Sequence, residues 1–176
     1  MLEIIGLVVV AVIAGILVAA ALKPNTFRVQ RKVSINASPD TIFAFINDLH
    51  KWTSWSPFEK LDPAMERTFI GAEAGKGAFY AWSGNNRAGA GSMEITDTSP
   101  PLRVTMALNF TRPFKNNCIV DFTLEPESDS TVVTWAMTGP TPFVSKIMHV
   151  MINMDKMIGK EFEAGLTNLK ALAEKA

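Results

Sequence analysis

The apolar side chains divide the chain into two parts with different patterns. Residues 4–22 form an unbroken run of nineteen uncharged, non-hydrogen-bonding side chains, whereas later apolar positions alternate with polar ones. As a helix rising about 1.5 Å per residue, this run spans about 28 Å, close to the roughly 30 Å hydrocarbon core of a bilayer. The pattern therefore predicts one transmembrane helix followed by a folded domain.

The apolar run has two interpretations. A cleaved signal peptide needs a basic start, an apolar stretch of about 7–15 residues and small residues at the cut. Ala19 and Ala21 fit a cut site, but Glu3 is the only charged residue before the run, and the run is too long. We therefore expect an uncleaved anchor over residues 1–22, followed by a juxtamembrane linker over 23–26.

The residues after the run predict the orientation of the anchor. Four basic side chains follow it without an intervening acid: Lys23, Arg28, Arg31 and Lys32. Basic juxtamembrane residues stay in the cytoplasm by the positive-inside rule, and they also attract anionic lipid headgroups. We therefore expect a single-pass membrane protein that contacts membrane lipid and has a cytoplasmic C-terminal domain.

A stripe of small residues in the run suggests one partner for the anchor. Ala11, Gly15 and Ala19 recur every four residues, a spacing that lets two transmembrane helices approach closely. The same spacing arises easily by chance in an Ala-rich run. A homodimer through this helix is therefore one alternative, and an unpaired helix is the other.

Short alternating segments in the domain predict strands. Every second residue from Leu102 to Phe110 is apolar, and one apolar face opposed to a polar one indicates an antiparallel sheet covered on one side. Arg31 falls on the apolar side of the first strand, so it lies at an open end or the alignment of that strand is wrong. Seven segments, separated by turn residues, have a strand pattern: 27–35, 66–71, 77–83, 89–97, 102–110, 115–125 and 131–138.

Two segments carry helix signals. Residues 38–40 supply a Ser N-cap, a Pro at the first helical position and an acid in the first turn. From Phe143 to about Ala173, apolar residues recur at three- and four-residue spacing, which predicts one long helix that bends at Gly159 or Gly165. The order predicts an α+β fold, in which a curved antiparallel sheet wraps around the long C-terminal helix.

Composition excludes several classes of function. Seventeen basic and seventeen acidic residues cancel, so nucleic-acid binding has no electrostatic support. Cys118 is the single cysteine, and His50 and His149 are the only histidines. We therefore expect no disulfide, no thiolate or multi-histidine metal site and no cofactor.

Several short motifs, taken in order, resemble those of the START-like or helix-grip superfamily, also called SRPBCC or polyketide cyclase/dehydrase-like proteins. The resemblance covers residues 27–174, which we take as one domain, and it implies the helix-grip fold. This fold hosts lipid carriers, hormone receptors, cyclases and dioxygenase subunits, so it does not specify a function. The motifs are Asn36–Phe43, Trp52–Pro57, Gly91–Ile95, Phe122–Pro126 and Thr134–Trp135.

The resemblance also implies a cavity for an apolar ligand between the sheet and the long helix. An ordinary packed core is the alternative, since a stripe of Met and aromatic residues at helical spacing usually means a core. Methionine on the helix that would cover the cavity suits varied apolar shapes. The candidate ligand-contacting residues are Trp55, Tyr80, Trp82, Met106, Leu108, Phe122, Trp135, Met137, Met148, Met151, Met154 and Phe162.

Candidates for catalysis are weak. Tyr80 or His149 could donate a proton, but a solvated helix position suits His149 better, and His50 suits a helix C-terminus. Cys118 shares an apolar strand face and reads as a small buried hydrophobe. The Trp52–Pro57 motif is either a lid over the cavity mouth or an aromatic plug.

Three functional hypotheses follow. The first is a membrane-anchored, non-catalytic module that binds a small apolar molecule, such as a lipid- or quinone-like compound. The second is a cyclase or dehydrase acting on an apolar substrate, which requires at least two titratable side chains that converge in the cavity. The third is a structural domain that docks a membrane protein, which predicts a filled core beside an exposed apolar patch.

Overall fold

The computed structural model describes residues 2–176, except for the side chains of Leu2, His149 and Met151. The helices are α1 (Leu2–Ala21), α2 (Pro39–Ile46), α3 (Trp52–Trp55), α4 (Phe143–Met151) and α5 (Met154–Ala173), with short 3₁₀ turns at Leu49–Lys51 and Pro57–Lys60. The strands are β1 (Thr26–Ile35), β2 (Glu66–Gly71), β3 (Ala78–Ser83), β4 (Ala90–Ser99), β5 (Arg103–Arg112), β6 (Asn116–Pro126) and β7 (Thr131–Pro140).

Within residues 2–176, the seven strands form one antiparallel sheet in the order β1-β7-β6-β5-β4-β3-β2. The predicted α+β helix-grip fold is therefore confirmed. We call the sheet end beside α1 the proximal end, where Thr26 pairs with Pro140. The β5–β6 turn lies at the same end, because the Asn116 side-chain amide donates to the Pro140 carbonyl at 3.3 Å. At the opposite, distal end Ile35 pairs with Thr131.

The helix α1 precedes the domain as expected. Among the described residues it is the one helix long and apolar enough to cross a membrane, a test that a signal sequence also passes. The side chains of residues 3–15 are exposed, whereas Ala20 is fully buried. The end of α1 next to the domain is therefore the part that has protein neighbours.

The C-terminal helix differs from the prediction of one helix over 143–173. The chain leaves helical geometry at Ile152, and Asn153 caps α5 because its side-chain oxygen accepts a hydrogen bond from the Lys156 amide at 2.9 Å. Asparagine competes well for such caps, which explains the break without a proline. The preceding helix α4 turns away and makes its main contacts with α1.

The two glycines of α5 mark close contacts, whereas we predicted bends there. A Cβ at Gly165 would lie 2.7 Å from Cζ3 of Trp135, and one at Gly159 would overlap the Arg31 guanidinium. Arg31 uses that space to reach the helix, pairing with Asp155 at 3.0 Å and Glu163 at 2.6 Å. The strand alignment was therefore correct, and Arg31 occupies the apolar side as a tie to α5.

Candidate ligand cavity

A cavity of about 160 Å³ lies over the proximal half of the apolar sheet face, and it is not fully enclosed. Strands β3 to β7 form one wall, while α5 and residues 52–65 form the other. Apolar side chains provide most of the surface. The wall consists of Trp52, Ser56, Phe58, Glu59, Leu61, Met65, Tyr80, Trp82, Ala88, Met93, Leu108, Phe110, Val120, Trp135, Met137, Ile158 and Phe162.

The twelve candidate residues fall into three groups in the structure. The first group lies on the cavity wall: Tyr80, Trp82, Leu108, Trp135, Met137 and Phe162. The second group, Trp55, Met106 and Phe122, is fully buried in the packed core. Buried sheet and helix side chains can thus share a face with the wall without bordering the cavity.

The third group consists of the helix methionines, of which Met148 and Met154 do not border the cavity. Met148 is on α4, the helix that packs against α1. Met154 borders a separate groove of about 470 Å³ near Lys23, which is more polar and more open than the cavity. The side chain of Met151 lies outside the described part of the chain.

The Trp52–Pro57 motif is fixed to the domain on two sides. The Trp52 indole donates to the Ile46 carbonyl at 3.0 Å, and the Trp55 indole donates to the Phe45 carbonyl at 3.3 Å. On the other side, Asn168 of α5 donates to the Trp55 carbonyl at 3.0 Å. These contacts favour the aromatic plug over a lid that opens.

Trp135 is the central aromatic residue of the cavity wall. Its ring stacks on Phe162 of α5, with centroids 4.1 Å apart and planes at 8°. Its indole N–H is buried without a hydrogen-bond partner among the described residues. An unpaired buried donor costs free energy, so the aromatic packing must offset that cost.

A polar network interrupts the apolar wall at one place. The Tyr80 hydroxyl donates to Oε1 of Glu59 at 2.7 Å, and Nε of Arg67 donates to Oε2 of the same carboxylate at 2.7 Å. The Glu59 side chain is only 8% exposed. Burial, and then the hydrogen bond to Glu59, raise the pKa of Tyr80 above its ordinary value. Tyr80 therefore stays protonated at neutral pH.

Glu59 is the functional candidate that the sequence did not reveal. It lies in the 3₁₀ turn at Pro57–Lys60, 21 positions before Tyr80, and neither residue belongs to a motif. Arg67 lies on β2 opposite Trp82, which is two residues from Tyr80 on β3, and from there its guanidinium donates to Glu59. No spacing rule in the sequence links a turn residue to a strand residue in this way. However, the enzyme hypothesis did require two converging titratable groups, and Glu59 and Tyr80 meet that condition.

Other chemistry finds little support in the described residues. Burial raises the pKa of the Cys118 thiol to about 11, so it is protonated and a poor nucleophile at neutral pH. Among the residues searched, no group of three or more His, Cys, Asp or Glu side chains could hold a metal ion. His50 is exposed, its Nδ1 lies 3.3 Å from Oδ1 of Asp48, and its ring stacks on Phe69.

The folded domain matches one protein family. The sequence profile described as "Polyketide cyclase / dehydrase and lipid transport" matches residues 26–174. No curated protein matches the chain.

Solved structures share the fold at low sequence identity. MLL2253 from Mesorhizobium loti is 18% identical, with a TM-score of 0.60, over 85% of this chain and 98% of its own. CV1439 from Chromobacterium violaceum is 19% identical, with a TM-score of 0.58, over 86% of this chain and 99% of its own. DynU16, from the dynemicin biosynthetic locus, is 16% identical, with a TM-score of 0.55, over 85% of this chain and 47% of its own. At these identities the likeness concerns the fold.

Proposed function

Because the chain belongs to the polyketide cyclase / dehydrase and lipid transport family, we propose that it is a membrane-anchored module that binds a small apolar molecule in the cavity. The observation that carries this proposal is the state of the wall. Trp82, Leu108 and Phe110 are apolar and lie on the covered face of the sheet, yet they are only half-buried. A guest molecule would complete their burial and gain about 25 cal/mol per Å² of apolar surface removed from water.

The volume of the cavity limits the bound part of the guest. An engineered apolar cavity of about 150 Å³ in another protein stays dry and binds benzene. A cavity of about 160 Å³ suits an aromatic or quinone-like ring, or a short stretch of lipid chain. A longer molecule would extend through the open side.

The position of the cavity supports a ligand taken from the bilayer. The wall occupies the proximal half of the sheet, the end to which α1 connects. In this proposal α1 is an uncleaved, single-pass anchor and the domain is cytoplasmic. Tethering then raises the effective concentration of the domain near a molecule dissolved in the membrane. Homodimerisation through the small-residue stripe Ala11, Gly15 and Ala19 of α1 is a further part of this proposal.

A second candidate function is a cyclase- or dehydrase-type enzyme with an apolar substrate. Glu59 and Tyr80 favour it, because they are two titratable groups that meet in the cavity wall. In this role the Glu59 carboxylate would accept a proton from the substrate as a general base. The third hypothesis, a docking domain, predicts a filled core and is not favoured by the cavity.

A quenching experiment tests the binding function. The wall contains three tryptophans, Trp52, Trp82 and Trp135, so a brominated ring that enters the cavity should quench their fluorescence. We expect bromobenzene to quench the delipidated full chain in nanodiscs saturably, at one molecule per chain. Nanodiscs without protein provide the correction for partition into lipid.

A cavity-filling variant is the matched control. Leu108→Trp should abolish saturable quenching because the larger ring occupies the space. It adds a fourth tryptophan to the wall, so residual binding would be more visible. If bromobenzene quenches the wild-type chain no more than free partition predicts, the proposed function is wrong.

A further inference from the structure

The Glu59–Tyr80 pair presents a particular hydrogen-bonding character to the cavity. The Tyr80 hydroxyl already donates its hydrogen bond to one oxygen of the Glu59 carboxylate, and Arg67 donates to the other. What remains free on the pair are lone pairs on the carboxylate and on the phenol oxygen. Because both residues line the cavity, a guest at this point of the wall would meet hydrogen-bond acceptors.

The charge of the network is balanced. The Arg67 guanidinium lies 2.7 Å from the Glu59 carboxylate, and its other groups donate to the carbonyls of Met65 and Glu59. An anionic guest would therefore meet a carboxylate, while a cationic guest would meet a site already neutralised by an arginine. A neutral guest that donates a hydrogen bond is neither repelled by the carboxylate nor in need of an unpaired negative charge.

We propose that the Glu59–Tyr80 pair makes the cavity selective for apolar molecules that carry a neutral hydroxyl group, such as an alcohol or phenol. This inference rests on the proposed function and names its ligand class. The hydroxyl donates to the free lone pairs of the Glu59 carboxylate while the apolar body lies against Trp82 and Phe110. A hydrogen bond to a charged acceptor in a buried site is strong enough to discriminate by about tenfold between otherwise similar guests.

Three probes of matched shape test this selectivity by the same tryptophan quenching. Para-bromophenol carries a neutral hydroxyl, bromobenzene carries no polar group, and para-bromobenzoate carries a negative charge. After correction for partition into the nanodisc, we expect the phenol to bind about tenfold more tightly than bromobenzene. We expect the benzoate to bind most weakly.

Two variants assign the preference to the pair. Glu59→Gln should reduce the advantage of the phenol to less than about threefold, because a neutral amide is a weaker acceptor. Tyr80→Phe keeps the Arg67–Glu59 ion pair and frees a lone pair, so it should retain the preference. Glu66→Gln, an exposed acid at the start of β2, is the matched control and should behave as wild type.

The outcomes separate this inference from the proposed function. If bromobenzene binds and the phenol gains nothing, the selectivity proposal is wrong while the binding module stands. If none of the probes binds, both proposals are wrong. Should Glu59→Gln fail to fold by near-UV circular dichroism, the wild-type series and Tyr80→Phe still decide.

A separate observation concerns the contact of α4 with α1. The Thr141 amide donates to the Asn25 carbonyl at 2.7 Å, and the buried Lys146 ammonium donates to the Asn25 side chain at 2.6 Å. These bonds hold the start of α4 beside the end of α1, where Ala20 is fully buried. A spanning α1 needs nearly all its 20 residues for the hydrocarbon core, so α4 must lie at interfacial depth.

Exposed apolar side chains cluster at this same end. Phe143 and Val144 of α4 are 49% and 65% exposed, and Phe114 of the β5–β6 turn is 59% exposed. Exposed Lys115 directly follows Phe114, and exposed Lys23 lies two residues before Asn25, which bonds to Thr141 and Lys146. Apolar side chains beside cations are typical of protein surfaces that enter the headgroup layer of anionic membranes. We infer that α4 and the β5–β6 turn lie in the bilayer interface and seat the proximal end of the sheet on the membrane.

Lipid-attached quenchers test the seating, with fluorescent labels on single cysteines in a Cys118→Ser background. In nanodiscs containing anionic lipid, a label at Val144→Cys should be quenched by a doxyl group near the headgroup. A label at Asp129→Cys, in the distal β6–β7 turn, should not be quenched. A label at Val10→Cys in α1 should respond to a doxyl group near the bilayer centre.

The α1 label separates two kinds of failure. If the label at position 10 is quenched and the label at position 144 is as unquenched as the label at position 129, the anchor spans the membrane but the seating of α4 is wrong. If Val10 is not quenched, the anchor and the seating are both wrong. Phe114→Cys repeats the measurement on the β5–β6 turn should Val144→Cys disturb α4.

Discussion

The two halves of the apolar sheet face have the same sequence pattern but different packing. Along β5, Val104 and Met106 at the distal half are fully buried, whereas Leu108 and Phe110 at the proximal half are half-buried beside the cavity. All four point to the same side of the strand. The comparison teaches that strand alternation selects the face, while the covering elements decide whether that face is packed or hollow.

The covering elements differ between the halves for a local reason. Over the distal half, Trp55 packs edge-on against Phe122 at 6.0 Å, and Leu166 and Leu169 of α5 are buried. Over the proximal half, the chain before α5 leaves the sheet at Asn153 and packs on α1 instead. Among the described residues, none of α4 borders the cavity, so the segment before α5 gives the proximal half no cover.

The largest difference between the halves should appear on truncation. Phe122→Ala removes a fully buried ring and should lower the free energy of unfolding by about 3–5 kcal/mol. Phe110→Ala removes a half-buried ring beside an existing hollow and should cost about 1 kcal/mol. Urea unfolding of the full chain in detergent, followed by far-UV circular dichroism, measures both. Equal losses would contradict the comparison.

Enlargement of a side chain should have a smaller effect, and the distal half should again lose more stability than the proximal half. Met106→Trp overfills the distal half and should lower the free energy of unfolding by about 1–3 kcal/mol. Leu108→Trp fills the hollow and should change it by less than about 0.5 kcal/mol. The two substitutions are on the same strand and face, so each is the control for the other. A large loss in Leu108→Trp would mean that the proximal half is packed solidly.

The smallest effect concerns the tie that positions the start of α5. The hydrogen bond from Arg31 lowers the pKa of Asp155. A lowered folded-state pKa stabilises the protein above the unfolded-state pKa of about 3.9, and the effect is lost as pH falls through the folded-state pKa. The difference in the free energy of unfolding between wild type and Arg31→Gln should therefore be constant near neutral pH and should become smaller below about pH 4.

The control for this pH effect is Lys32→Gln, an exposed cation on the opposite face of β1. The difference between the urea midpoints of wild type and Lys32→Gln should stay the same from neutral to acidic pH. Because Asp155 is largely exposed, the gap itself should be small. A gap for Arg31→Gln that is independent of pH would mean that Asp155 contributes nothing to the tie.

Local patterns predicted the elements well. The 66–71 segment is observed as Glu66–Gly71, and the Ser38 N-cap accepts a hydrogen bond from the Thr41 amide at 3.2 Å. Both features depend on neighbouring residues, which a sequence displays directly. The break at Asn153 was missed because apolar spacing continues across it, and Asn is a cap only when the backbone before it leaves the helix.

The candidate site was predicted in part. Tyr80 and Trp82 are on the wall because β3 alternation points them inward, whereas Met148 and Met154 depended on a continuous helix that does not exist. Glu59 could not be predicted from any pattern. Its partnership with Tyr80 and Arg67 depends on where the 3₁₀ turn rests against β2 and β3.

By itself, the sequence determined the anchor-length apolar run, the seven strands, their inward faces and the superfamily resemblance. These properties follow from periodicity, turn chemistry and motif order, which are local. Only the tertiary structure decided which half of the sheet is hollow, that Glu59 joins Tyr80 in its wall, and that Arg31 ties β1 to α5. These depend on contacts between residues far apart in the chain, and packing free energy, not local preference, selects them.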